Sequence, residues 1–132
     1  MTAPSKPQPG RFIWHDLAAA DTAAASDFYQ SVFGWTPITQ YANGGRIIRL
    51  QSDGHDVGSM YPLSRRQREH GVPSHWTSYV CVESVEAAAR RAEEAGGVIL
   101  VRPFEVERIA RIALVADTLG SVMGLWESIP HG

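Results

Sequence analysis

The sequence predicts an α+β fold built from two tandem βαβββ modules. Three observations predict it. Each half of the chain reads as strand, helix, strand, strand, strand. The two halves align without a gap over their strand–helix portions. Cap and turn residues recur at matching places in both halves.

"RFIWHDLA" alternates well enough for a first strand. Asp21 then serves as N-cap, and Ala25, Phe28, Tyr29 and Val32 fall at helical spacing on one apolar face. Gly34 ends the helix, because glycine takes the left-handed cap conformation at little cost. "TPITQY", "RIIRLQ" and "VGSMY" follow as strands, separated by the turns "NGG" and "SDGH". In the second half, "HWTSYVCV" reads as a strand and Ser84 as an N-cap. Val85, Ala88, Ala89 and Ala92 form the apolar face, and Gly96-Gly97 stops the helix. "VILV", "ARIALVA" and "SVMGLWE" complete the repeat. An offset of 63 carries Trp14 to Thr77, Asp21 to Ser84 and Gly34 to Gly97. Further on, an offset of 65 carries Arg46 to Arg111, Val57 to Val122 and Tyr61 to Trp126. The organisation expected is a flexible tail over 1–10, a first module over 11–62, a linker over 63–74, a second module over 75–128 and a tail over 129–132. Each half alone is too small to bury a good core.

The totals exclude several classes. The chain has 132 residues, 44% hydrophobic and 20% charged, as in ordinary globular domains. A net charge of −2 supplies no basic excess for nucleic acid. No apolar run reaches membrane-spanning length. The polar, proline-rich start lacks the apolar core of a signal peptide, so a cytoplasmic location is expected. The single cysteine, Cys81, excludes an internal disulfide and a cysteine-based zinc cluster. No Walker loop, dinucleotide fingerprint or ordered Ser-His-Asp set is present.

The repeated βαβββ pattern resembles the vicinal oxygen chelate superfamily, which includes glyoxalase I, bleomycin-resistance proteins and extradiol dioxygenases. The residues that carry the resemblance are the strand before Asp21, Phe28-Tyr29, Phe33-Gly34-Trp35, Gly96-Gly97 and the ending "RIALVADTLGSVMGLWE". That ending is similar to the family's DPxG turn and last strand, with Thr118-Leu119 where proline is usual. The resemblance covers about residues 11–128. It implies a curved, open, eight-stranded mixed sheet with the helices on its outer face, and a homodimer. Trp35 and Trp76 are candidates for burial at module or subunit contacts. The subgroup is similar to actinobacterial glyoxalase-like proteins that begin W-x-[ED]-L where the metalloenzymes begin H-V-x-L.

By the same resemblance, four places would supply metal ligands, and here they hold Trp14, Ser59, Thr77 and Gly124. None is a His, Glu or Asp, so no metal and no cofactor are expected. His15 is one residue out of register, which in a strand means the opposite face, with a bulge that returns it to the site as the alternative. His55 reads as a turn residue, His70 as linker, His75 as a strand edge and His131 as tail.

Strand parity and the resemblance together give a cavity face of Trp14, Asp16, Ala18, Ser59, Tyr61, Thr77, Tyr79, Cys81, Val122, Gly124 and Trp126. Small residues at the ligand places are expected to open space rather than add charge. Such a face suits a flat, apolar ligand held between rings, with Trp14, Ser59, Tyr61, Thr77, Tyr79, Gly124 and Trp126 as ligand-binding candidates. The same rings also suit a filled core. Asp16 is the candidate acid or base, against a structural, hydrogen-bonded role. Cys81 reads as a small buried hydrophobe. Arg46 and Arg111, at matching places, read as strand-edge charges or as a clamp for an anion. The linker "SRRQREHG" reads as a solvated loop, with a lid as the alternative.

The first expectation is a metal-independent, glyoxalase- or bleomycin-resistance-like protein that binds a planar or aromatic metabolite. The alternative is a cofactor-free isomerase, lyase or cyclase acting on a carbonyl-bearing or polyketide-like metabolite through Asp16. A metal-dependent glyoxalase or dioxygenase and a protein-interaction module without a small-molecule pocket are the remaining readings.

Overall fold

The structure is a computed structural model that describes residues 8–42 and 45–130. Residues 1–7 of the expected tail, the turn expected at Asn43-Gly44, and His131 lie outside the described residues.

The elements run β1 (Phe12–Ala19), α1 (Thr22–Phe33), β2 (Thr36–Ala42), β3 (Gly45–Ser52), β4 (His55–Pro62), α2 (Arg65–Glu69), β5 (His75–Cys81), α3 (Val85–Glu94), β6 (Val98–Val106), β7 (Ala110–Ala116) and β8 (Val122–Ser128). The strands form an α+β fold with an open mixed sheet in the hydrogen-bonded order β2-β3-β4-β1-β5-β8-β7-β6. The chain divides into two compact units, Trp14–Thr77 and a second made of the described residues of Met1–Ile13 and Ser78–Gly132.

In the unit Trp14–Thr77, β1 runs parallel to β4, while β2, β3 and β4 are joined as antiparallel neighbours. Asp21 caps α1 by accepting from the Ala24 amide at 3.0 Å. Gly34 closes it in the left-handed region at φ 73°. Leu17, Ala19, Ile48, Leu50 and Met60 make the core beneath α1, with Ala25, Tyr29 and Trp35 packed on them. Replacing Leu50 by alanine there costs about 2–5 kcal/mol, the range for emptying a buried leucine site. The apolar face expected for α1 is only partly buried. Thr22, Ala25 and Tyr29 turn inward, whereas Phe28 and Val32 are 58% and 52% exposed. The helix is rotated so that the buried stripe is three small or amphipathic residues. The residues Tyr29, Phe33, Trp35 and Trp76 stack or meet edge to face beside it, and Trp76 Nε1 donates to Tyr29 Oη at 3.0 Å. The stretch read as a solvated loop contains the short helix α2. Ser64 and Gln67 form a reciprocal capping box at its start.

In the other unit, β5 runs parallel to β8, while β6, β7 and β8 are antiparallel neighbours. The start of β1 belongs here too: Cys81 N donates to the Arg11 carbonyl at 2.8 Å. Val85, Ala88 and Ala89 of α3 pack on Ala113, Val115 and Leu125, and Ala92 joins them, as its spacing predicts. Ser84 caps the helix through the Ala87 amide at 3.2 Å. β6 extends well beyond the expected "VILV", with irregular pairing to β7.

Candidate functional site

In the unit Trp14–Thr77, α1 covers one face of the sheet and fixes what the other face shows. Leu17 and Ala19 point into the core under α1, so Trp14 and Asp16 point the other way. His15 shares the parity of Leu17 and Ala19. It is exposed on the helix side, as the register argument expects. Ser59 stands directly beside Asp16 on the parallel neighbour β4, and Trp14 Nε1 donates to Ser59 Oγ at 2.9 Å. That bond fixes the indole plane against the sheet. Tyr61 lies on the same side of β4, two residues on. Burial, and secondly the charge of Asp16, push the Tyr61 hydroxyl up to about 12. Tyr61 is therefore a hydrogen-bond donor at every physiological pH. Thr77, at the end of this unit, is buried.

A bulge extends this face. Leu50 pairs with Gly58, but Gln51 pairs with Asp56, which leaves Val57 as the extra residue of β4. Val57 packs toward the α1 core. The carboxylate of Asp56 is thereby brought to the side of Arg49 and Gln51. Arg49 Nη1 donates to both Asp56 oxygens at 3.1 and 3.2 Å, and Gln51 Nε2 donates to Asp56 Oδ1 at 2.9 Å. Arg49 faces Ser59 across the β3–β4 pairing, so Arg49, Ser59 and Asp16 make one row across three strands.

In the other unit, Tyr79 stands beside Gly124 and Cys81 beside Trp126. The Tyr79 ring lies where a side chain on Gly124 would begin; a Cβ there falls well inside contact with the ring. The rings of Tyr79 and Trp126 meet edge to face at 6.0 Å, and Trp126 Nε1 donates to Ser128 Oγ at 3.1 Å. The expectation that small residues leave open space is therefore corrected at two of the four places. A tyrosine ring fills the space at Gly124, and an indole N–H takes up the Ser59 hydroxyl. Cys81 is buried, and burial pushes its thiol up, as suits a packing role.

The residues at these places do not fit a divalent cation. An indole N–H donates and offers no lone pair, and Gly124 has no donor atom. Among the described residues, no three His, Cys, Asp or Glu side chains are placed to share a metal ion. His70 Nδ1 lies 2.8 Å from the Arg66 carbonyl, and His75 Nδ1 lies 2.9 Å from the Pro73 carbonyl.

Arg46 and Arg111 serve their helices. Arg46 Nη2 donates to Thr22 Oγ1 at 2.7 Å, at the first residue of α1. Arg111 forms an ion pair with Glu86 in the first turn of α3. Both therefore reach to the helix side of their strands, away from the faces that carry Asp16 and Tyr79.

Sequence reasoning did not single out Arg49, Gln51 or Asp56. The alternation of "RIIRLQ" places Arg49 and Gln51 opposite Ile48 and Leu50, which was a usable signal. The side taken by Asp56 depends on the bulge, which no residue type announces.

Two βαβββ units, each with its first strand parallel to its last, define the class of paired βαβββ proteins. Residues 11–122 match the Glyoxalase/Bleomycin resistance protein/Dioxygenase superfamily, and the chain belongs to it. It is similar to the anthracycline biosynthesis protein DnrV of Streptomyces peucetius, 33% identical over 129 residues, covering 89% of this chain and 47% of that protein. It is also similar to the putative glyoxylase CFP32 of Mycobacterium tuberculosis, 30% identical over 122 residues, covering 89% and 46% respectively. The chain thus spans about half the length of these curated relatives. Among solved structures, a hypothetical protein from Bacillus halodurans superposes with a TM-score of 0.67 at 16% identity, covering 95% of this chain and 99% of that one. The methylmalonyl-CoA epimerase of Streptomyces coelicolor, solved in complex with 2-nitronate-propionyl-CoA, superposes with a TM-score of 0.64 at 21% identity, covering 92% and 96%. These two likenesses concern the fold alone.

Proposed function

We propose that the chain binds a small, planar, aromatic metabolite without a metal, in the manner suggested by the bleomycin-resistance branch of its superfamily. The observation that supports this most directly is the Trp14–Ser59 hydrogen bond. It holds a flat indole surface at the place where metal-dependent members would be expected to hold a ligand. A ring fixed in this way suits stacking on another ring, because its orientation is set before the ligand arrives. The likeness to a protein of anthracycline biosynthesis supports a fused-ring, polyketide-like ligand. Ser59, Tyr61 and Thr77 are the polar anchors in this reading. Its partner is a small molecule rather than nucleic acid, and its location is the cytoplasm. No described helix is long and apolar enough to cross a membrane.

The test is titration of the full chain with anthraquinone-2-carboxylate, followed by tryptophan fluorescence. The reading expects saturable binding that Trp14→Ala weakens at least tenfold, with a smaller change in thermal stability. No saturation, or a loss in affinity that only tracks unfolding, overturns it.

The placement of Asp16 and Tyr61 on one face of β1 and β4 favours a second reading. A carboxylate on the same face as a hydroxyl that stays protonated can take a proton at one atom while the hydroxyl stabilises the oxyanion that forms. The chain would then be a cofactor-free isomerase, lyase or cyclase. Turnover of a carbonyl-bearing aromatic substrate that Asp16→Asn abolishes, with folding intact, would establish it. Binding without product under any pH would remove it.

A homodimer completes the proposal. Phe28, Val32 and Phe33 of α1 and Trp76 leave apolar surface exposed, which a subunit contact would cover. Light scattering on the purified chain should give twice the monomer mass; a monomer at high concentration refutes it.

A further inference from the structure

We infer that Arg49 is the anchor for an anionic oxygen pair, a carboxylate, on the edge of the bound ligand. This deepens the binding function proposed above and rests on it.

Among the described residues, the guanidinium is engaged on one side only. Its Nη1 holds Asp56, and Asp56 is in turn occupied by Gln51. The opposite edge, formed by Nε and Nη2, is the side-on fork that matches two adjacent oxygens. Nε is buried and has no acceptor among the described residues. A buried N–H without a partner is costly, and an acceptor brought by a bound molecule removes that cost. The fork also lies at the right place. Arg49 faces Ser59, which holds the Trp14 indole. Neighbouring strands are roughly 4.8 Å apart, so a ring stacked on Trp14 has an edge within reach of a side chain one strand beyond Ser59. Asp56 acts as a positioning residue. It neutralises part of the charge and holds the guanidinium by its Nη1 edge. The Arg46 and Arg111 side chains lack this freedom, since each is committed to the first turn of a helix.

The experiment compares two probes with the same ring system on the full chain by calorimetry. These are anthraquinone-2-carboxylate and the neutral 2-(hydroxymethyl)anthraquinone. The inference expects wild-type protein to bind the carboxylate at least tenfold more tightly than the alcohol. Arg49→Lys keeps the charge and removes the fork. It should weaken the carboxylate at least tenfold and change the alcohol less than twofold, and Arg49→Gln should do the same or more. Equal binding of the two probes by wild-type protein overturns the anchor while the ring-binding function stands. That comparison needs no variant, so a variant that fails to fold leaves the test intact. Equal weakening of both probes in a folded Arg49→Lys protein makes Arg49 structural and also overturns the inference. Failure of both probes to bind overturns the anchor and the binding function together.

Discussion

The ring of Tyr79 occupies the space in which a side chain at Gly124 would begin. The two residues stand side by side on the parallel strands β5 and β8, so neither can move without disturbing the sheet. Gly124→Ala is expected to destabilise the fold by about 1–3 kcal/mol, the usual cost of forcing extra volume into a packed site. Tyr79→Ala removes the clash at its source. In the double variant the alanine at 124 should therefore cost little, giving a clear coupling energy in a double-mutant cycle measured by urea unfolding. Additive losses would show that the ring and the glycine are independent.

The same pair shows what could be read in advance. The offsets that relate the halves put Asp16 and Ser59 in register with Tyr79 and Gly124, and the structure pairs both couples as strand neighbours. Eight strands, α1, α3, the caps Asp21 and Ser84 and the face of His15 were legible, because they follow from local chemistry and from the two-residue period of a strand. What a small residue leaves behind was not legible. Whether Gly124 opens a space depends on a ring donated by the next strand, and packing of that kind has no local signature. The exposure of Phe28 and Val32 was hidden for a similar reason: two stripes of α1 are apolar, and only the sheet beneath decides which is buried. The Asp56 side chain was hidden by a single inserted residue, Val57.

Helix caps supply a direct check on the legible part. Asp21→Ala and Ser84→Ala each remove the acceptor of a first-turn amide. Each is expected to cost about 1 kcal/mol of stability in chemical unfolding, with anthraquinone-2-carboxylate affinity unchanged. A loss of affinity without a loss of stability would show that the helix starts take part in binding.

Arg46, Arg111 and His15 all lie on the helix sides of their strands. Arg46→Ala and Glu86→Gln should each cost at most about 1 kcal/mol, as expected for partly exposed polar contacts. With His15→Ala, they should leave affinity for the carboxylate probe within twofold of wild type in the same calorimetric titration. Arg49→Lys should not. If Arg46→Ala weakens the carboxylate probe as much as Arg49→Lys does, the assignment of faces to β3 is wrong.

The last prediction concerns pH. Tyr61 is raised to about 12, first by burial and second by the charge of Asp16, whereas in an unfolded chain its hydroxyl titrates near the ordinary value of 10.0. Between these two values the native protein holds a proton that the unfolded chain has released. Stability contributed by Tyr61 is therefore fully present below about pH 10 and is lost as pH rises toward about 12. Tyr61→Phe cannot ionise, so its urea midpoint should fall less steeply across that window than the wild-type midpoint does. The phenolate absorbance of the wild-type protein should contain one late-titrating tyrosine that is missing from Tyr61→Phe. Asp16→Asn removes only the second cause. It should bring that late titration down part of the way, leaving it above the ordinary value because burial remains. A return to the ordinary value in Asp16→Asn would make the carboxylate, rather than burial, the main influence on Tyr61. No change at all would place Asp16 too far away to act with Tyr61 in any proton transfer.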